Sequence, residues 1–179
     1  MNLYLHVGTE KTGSSHVQTL CVNGRSYLQT SSIWFPEGIT RHERRMRSGL
    51  VSAGNAFQIS ELVRQGHWKG VGQELLRHRA SAEDHACQSV LLTSELLLPG
   101  AAEPGAWASL FSEAGGADFG EISLLLLLRD PVDQLISLYK HRARSGTAGT
   151  IDEWVAYGYG PPSDLDALGT GGRSPRIQL

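Results

Sequence analysis

Near its start the chain reads His6-Val7-Gly8-Thr9-Glu10-Lys11-Thr12-Gly13-Ser14-Ser15, a stretch whose residue types and spacing can hold an anion. The preceding apolar run Leu3-Tyr4-Leu5 predicts a strand, and residues 14–28 predict a helix whose apolar stripe is Val17, Leu20 and Cys21, then Tyr27 and Leu28. A glycine-bearing turn between strand and helix offers unsatisfied backbone N–H groups and the positive end of the helix dipole. Gly8 and Gly13 have the glycine spacing of the phosphate-binding pattern G-x-x-x-x-G-K-[ST]. Ser14 stands where that pattern has lysine, Ser15 fills the hydroxyl position, and Lys11 lies inside the loop. The anion cradle is kept and the cation is moved. An NTPase needs the lysine on its terminal phosphates and a bound Mg²⁺, so this arrangement points away from one.

A second constellation, Arg129-Asp130-Pro131-Val132-Asp133-Gln134-Leu135-Ile136-Ser137-Leu138-Tyr139-Lys140-His141, follows another apolar run. Arg129 at a strand end can take a phosphate through two parallel N–H donors. Asp130 caps a helix and Pro131 fits its first position. Helical spacing puts Asp133, Ser137 and His141 on one polar stripe, with Val132, Leu135, Ile136 and Tyr139 on the apolar face. Ser137 can then add a hydroxyl to the anion that Arg129 holds.

The elements that must position these groups alternate. After the helix at 14–28, which Asn23-Gly24 can bend or end, residues 31–35 read as a short strand and Pro36-Glu37-Gly38 as a turn. Residues 42–64 read as helical with a break at Gly54-Asn55. An amphipathic helix follows over 71–85, with Val71, Leu75 and Leu76 inside. Residues 89–93 and 121–128 are continuous apolar runs that suit buried parallel strands. A helix begins at Pro104, another at Asp130, and Thr150-Ile151-Asp152-Glu153 fits a capping box for a last short one. Alternation of this kind predicts an α/β fold with a central parallel sheet flanked by helices in three layers. Ligands in such folds sit at the carboxyl ends of strands, where the first loop, Ser94-Glu95 and Arg129 all fall.

Taken together, the two constellations resemble those of sulfotransferases that use 3′-phosphoadenosine 5′-phosphosulfate (PAPS). The first loop resembles their 5′-phosphosulfate loop. Arg129, Pro131, Ser137, Tyr139 and His141 resemble their 3′-phosphate motif. Trp34-Phe35-Pro36-Glu37-Gly38 with His42, and Thr93-Ser94-Glu95, look like a bacterial branch of the family. The resemblance implies a P-loop-type domain over residues 1–157 and transfer of a sulfuryl group from PAPS to a hydroxyl or amine, with no bound metal. It gives Gly8, Lys11, Thr12, Gly13, Ser14 and Ser15 the 5′-phosphosulfate, with Lys11 on the bridging oxygen, and gives Arg129 and Ser137 the 3′-phosphate. His42, Glu37 and Glu95 are the candidate bases. Glu10 is expected to face solvent, and His6 to be a satisfied core histidine. Family members usually continue further, whereas residues 158–179 read as an irregular Gly/Pro-rich tail. The resemblance then implies either a truncated member or a divergent end; a truncated member is expected to expose apolar surface and to turn over weakly. A non-catalytic nucleotide-binding domain and a P-loop nucleotide kinase or NTPase stand as alternatives.

Composition bounds the partners. The chain has 179 residues, 40% hydrophobic and 19% charged, with a net charge of −2, which argues against a dedicated nucleic-acid binder. Arg41, Arg44, Arg45 and Arg47 read as a solvated helix face rather than a patch for an acidic acceptor. Cys21 and Cys87 form no disulfide framework or metal spacing, and Cys21 is expected to be a small buried residue. No signal peptide is visible, and the longest apolar run, at 124–128, is too short to span a bilayer. The expected setting is cytoplasmic, and the expected partner a small-molecule, glycan or lipid acceptor.

Overall fold

A computed structural model of the protein describes residues 1–8, 11–146 and 149–156. The chain divides into two compact units, with the boundary between Leu128 and Arg129. The first is an α/β unit built on four strands: β1 (Asn2–Gly8), β2 (Ile33–Trp34), β3 (Ser89–Ser94) and β4 (Glu121–Leu127). They form one sheet in the order β2-β3-β1-β4, and every pairing is parallel. Val7 pairs with Ser94 on one side and Leu126 on the other. The carboxyl ends of β1, β3 and β4 therefore share one edge.

Strand alternation decides what each face meets. Leu3, Leu5 and Val7 of β1 and Val90 and Leu92 of β3 are buried on one face. They pack with residues of α4 (Phe57–Arg64), α5 (Trp68–Asp84) and α7 (Ala106–Gly116), among them Ile59, Val71, Leu75 and Leu110. Leu91 faces the other way, against a smaller cluster of Val22, Phe35 and Met46. That cluster draws on α1 (Ser14–Asn23) and α3 (Thr40–Arg47), while α2 (Arg25–Thr30) runs toward β2. Cys21 is only half-buried beside it, and Cys87 is the buried cysteine.

Several expectations need correction. The segment expected to be helical over 14–28 is two helices that meet at Gly24, where Asn23-Gly24 allowed the first to end. The inward face of α1 is Ser14, Gln18 and Val22; the expected stripe fails at Leu20, which is 59% exposed, and beyond it at Tyr27. Placing Ser14 under the loop fixes the rotation of the helix and so carries Gln18 inward. On α5 Leu76 is exposed for a similar reason: Val71 and Leu75 already fill the inner face. α7 starts after Gly105, which adopts φ 81°, rather than at Pro104. A four-residue helix, α6 (Leu97–Gly100), was not legible as one.

β4 was expected to be buried, yet Leu124, Leu125 and Leu126 are each more than 40% exposed. Within this unit β4 is the last strand of the sheet. An apolar run gives a strand its composition but not its place in the order.

The second unit, from Arg129 on, contains α8 (Pro131–Arg144) and α9 (Ile151–Ala156). Asp130 caps α8 as expected, accepting from the Val132 and Asp133 N–H groups at 2.9 and 3.1 Å. The expected apolar face of α8 is incomplete: Val132 and Ile136 are exposed, Leu135 and Tyr139 half-buried. Periodicity marks such a stripe without saying what covers it. Tyr139 meets the buried Trp154 edge-on and donates to the Gly149 carbonyl. The tail at 158–179, like Thr9 and Glu10, lies outside the described residues. No helix among the described residues is long and apolar enough to cross a membrane.

His78 on α5 is buried, and burial, with help from Arg77, pushes its pKa down to about 4 from the ordinary 6.5. Between those values the unfolded chain takes up a proton that the folded chain refuses. Stability should therefore fall as pH drops through that window. Burial shifts His6 and His42 the same way. From pH 7 to pH 5 the His78 share of the loss should be about 2 kcal/mol. Urea denaturation of His78→Gln should show a flatter pH profile by that amount. A profile identical to that of the parent would mean that the ring is not held neutral.

Candidate functional site

The candidate site is built where β1 ends. Gly8 closes the strand, and the chain passes through Lys11 and Thr12 to Gly13, the cap of α1. Lys11 has φ 66° and Gly13 φ 104°, both in the left-handed region. Glycine takes that conformation freely, whereas a lysine held there costs about 1–2 kcal/mol. Lys11 is half-buried and is not free of interactions.

Two small residues let the loop fold back on its strand. A Cβ on Gly8 would stand 3.1 Å from Ser14 Oγ and 3.5 Å from Thr12 Oγ1. The two hydroxyls lie 3.4 Å apart, and Ser14 is fully buried. Ser14 therefore braces the loop against Gly8. At Gly13 a Cβ would meet nothing within 4 Å, so the cap faces open space. The Gly13 carbonyl accepts from the His16 and Val17 N–H groups at 2.9 and 3.2 Å, and the cap contributes no side-chain acceptor to α1. Ser15 is half-buried, and its carbonyl accepts from the Thr19 hydroxyl at 2.7 Å.

Between the end region of β1, β3 and α1 lies a buried polar group that sequence reasoning missed. Thr93 Oγ1 is 2.7 Å from His6 Nδ1 and accepts from Gln18 Nε2 at 3.4 Å. Among the described residues, His6 Nε2 and Gln18 Oε1 are buried without partners, so His6 is only half-satisfied there, contrary to expectation. Burial lowers the His6 pKa and favours the neutral ring. Asn55 completes the arrangement from the side. It accepts from the Thr93 N–H at 2.7 Å and donates to the carbonyls of Leu91 and Pro36, while the Ala56 N–H reaches the Thr93 carbonyl at 3.1 Å. Gly54 is required next door, since a Cβ there would stand 2.0 Å from the Thr93 carbonyl oxygen. The signal was present as Gly54-Asn55, but it read only as a helix break.

The candidate bases separate. Glu95 directly follows β3 and is half-buried. The turn that carries it is fixed by Ser94 Oγ, which accepts from the Leu96 N–H and lies 2.8 Å from Ser60 Oγ. Glu95 and Gly8 both line a cavity of about 760 Å³, whose other walls include Leu96, Leu98, Glu103, Pro104 and Trp107. His42 does not line it. His42 Nδ1 accepts the Ala53 N–H at 3.1 Å and the ring lies 4.6 Å from that of Phe57. Burial, Arg41 and Arg45 lower its pKa. This geometry pins the 48–56 loop. Glu37 is exposed near Arg25 and lines a separate cavity of about 370 Å³. Two of the four arginines of α3 are engaged locally, Arg45 with the Val51 carbonyl and Arg47 with Glu43.

In the second unit Arg129 is exposed and engaged, Ser137 is half-buried within α8, and His141 is exposed. Comparison of the chain with protein-family models, curated proteins and solved structures finds no match.

Asn55 should carry a large share of local stability. Asn55→Ala leaves the Leu91 and Pro36 carbonyls and the Thr93 N–H without its side chain. Each buried group left unpaired costs about 1–3 kcal/mol, so the total loss should be about 3 kcal/mol or more in chemical denaturation. A loss under about 0.5 kcal/mol would mean that water replaces the side chain at this edge.

Proposed function

We propose that the protein is a PAPS-dependent sulfotransferase of the P-loop type. One observation carries the reading: the strand-to-helix loop holds Lys11 and Gly13 in left-handed conformations, and Gly8, where that loop begins, lines a cavity that Glu95 also lines. A 5′-phosphosulfate fits this donor set. Gly13 leaves space at the start of α1, and the helix dipole favours an anion there. When bound, PAPS supplies a sulfuryl group whose bond to the 5′-phosphate oxygen is the one to break.

The chain's own residues then have distinct tasks. Lys11 holds negative charge that grows on the departing phosphate oxygen, a contact worth most in the transition state. Thr12 and Ser14 hold the loop shape against Gly8, so the anion site needs little rearrangement. Glu95 takes the proton from the acceptor hydroxyl or amine as the new bond to sulfur forms. It is preferred over His42, whose Nδ1 is committed to the Ala53 N–H, and over Glu37, which lines the other cavity. Arg129 and Ser137 are assigned to the 3′-phosphate on their sequence pattern.

The test is calorimetry with 3′-phosphoadenosine 5′-phosphate (PAP). The protein should bind PAP without Mg²⁺, and removal of the 3′-phosphate should weaken binding about tenfold or more. Equal affinity without that phosphate, or Mg²⁺-dependent binding of ATP in preference to PAP, would overturn the reading. Lys11→Ala should lower sulfuryl transfer by about a hundredfold or more while PAP affinity changes only a few-fold. The reverse pattern would reduce Lys11 to an anchor.

A further inference from the structure

We infer that the cavity beside Gly8 receives the acceptor, and that this acceptor has an apolar, ring-sized body, bears a hydroxyl or amine, and carries no negative charge. The inference rests on the sulfotransferase reading and narrows it. The cavity volume of about 760 Å³ lies within the range of small-molecule sites. Leu96, Leu98, Pro104 and Trp107 supply its apolar walls. Trp107 is half-buried and held by its ring contact with Phe111, at 5.9 Å between centroids. A fixed indole beside aliphatic side chains suits an aromatic or alicyclic body.

The charge of the wall narrows the class further. Glu95 and Glu103 line the cavity, and its described lining contains no lysine, arginine or histidine. A carboxylate or sulfate on the acceptor would lose solvation among apolar side chains and meet only like charge. An ammonium group gains from the same carboxylates, and a hydroxyl is tolerated. The wall therefore selects against acidic glycans and other anionic acceptors. Anion recognition stays with the loop, of whose described residues only Gly8 lines the cavity.

Calorimetry on the full chain with three probes of one shape tests this: naphthylmethylamine, naphthylmethanol and naphthoate at neutral pH. The amine should bind at least tenfold more tightly than naphthoate, with the alcohol between them. Glu103→Gln changes an exposed side chain and should fold normally; it should cut the amine-to-naphthoate ratio several-fold, and Glu95→Gln should do the same. Trp107→Ala should weaken all three probes. Naphthoate binding as tightly as the amine, or a ratio unchanged in the Glu95→Gln/Glu103→Gln double variant, would overturn the inference. So would competition between the amine and PAP, since the cavity would then belong to the nucleotide. A separate PAP titration distinguishes the two failures. PAP binding without amine selectivity removes the acceptor class alone. Amine selectivity without PAP binding removes the sulfotransferase reading and leaves a cavity selective for apolar cations.

Discussion

The first unit depends on how the exposed side of β3 is satisfied. β2 has two residues and pairs only with Ser89 and Val90. Beyond Val90 the Leu91 carbonyl and both backbone groups of Thr93 are turned toward a strand that is not there. Asn55 and the Ala56 N–H take its place. A side-chain amide offers a donor and an acceptor in one plane, so it can continue a ladder for one step. The constraint reaches further because the same Thr93 carries His6 and Gln18 on its hydroxyl. One residue thus couples β3, the central strand β1, the helix that follows the loop, and the 48–56 segment. Two members of this polar group flank the loop in the chain, His6 two residues before Gly8 and Gln18 four residues after Ser14.

Why a polar base lies there follows from geometry. The inward positions of α1 are spaced four residues apart, so the demand that Ser14 face Gly8 also sends Gln18 inward. An apolar side chain at that position would bury well but would leave the Thr93 hydroxyl with one partner fewer. The arrangement is costly, because His6 Nε2 and Gln18 Oε1 remain unpaired among the described residues. Lys11 in the left-handed region adds a second local cost. Two costs on adjacent segments, next to a cavity, fit a segment shaped for a task other than stability.

Sequence periodicity conveyed the alternating elements, the parallel sheet and the cap at Asp130, because each has a local cause: a run of apolar residues, a turn, or a side chain that reaches its own helix. It failed where the cause is nonlocal. The apolar run of β4 described a strand well and its burial badly, since strand order is set by the whole chain. The stripe of α1 was misread because one serine, not the summed hydrophobicity, fixes the rotation. Asn55 looked like a break because its partners, Leu91 and Thr93, lie more than thirty residues away. At the site, the glycine spacing and Glu95 at a strand end were legible. Trp107, Glu103 and the Thr93 group were not, since nothing near them in sequence marks them as neighbours.

On the proposed reading, the loop and the cavity place opposite electrostatic demands on neighbouring atoms. The loop must favour an anion, for which it has the start of α1 and Lys11. The cavity beside it is lined by carboxylates. If both demands were met by side chains on one wall, each would weaken the other through the low-dielectric space between them. Here they come from different parts of the chain: the loop after β1 supplies the positive end, and the turn after β3 and the segment before α7 supply the acids. Gly8 is the common point, and it has no side chain. A residue with any bulk there would crowd Ser14 and Thr12 and fill the wall through which the two compartments meet. Glycine at this position therefore answers a packing constraint and an electrostatic one together. On the proposed reading, Gly8 is the described residue across which donor charge and acceptor charge are kept apart at this sheet edge.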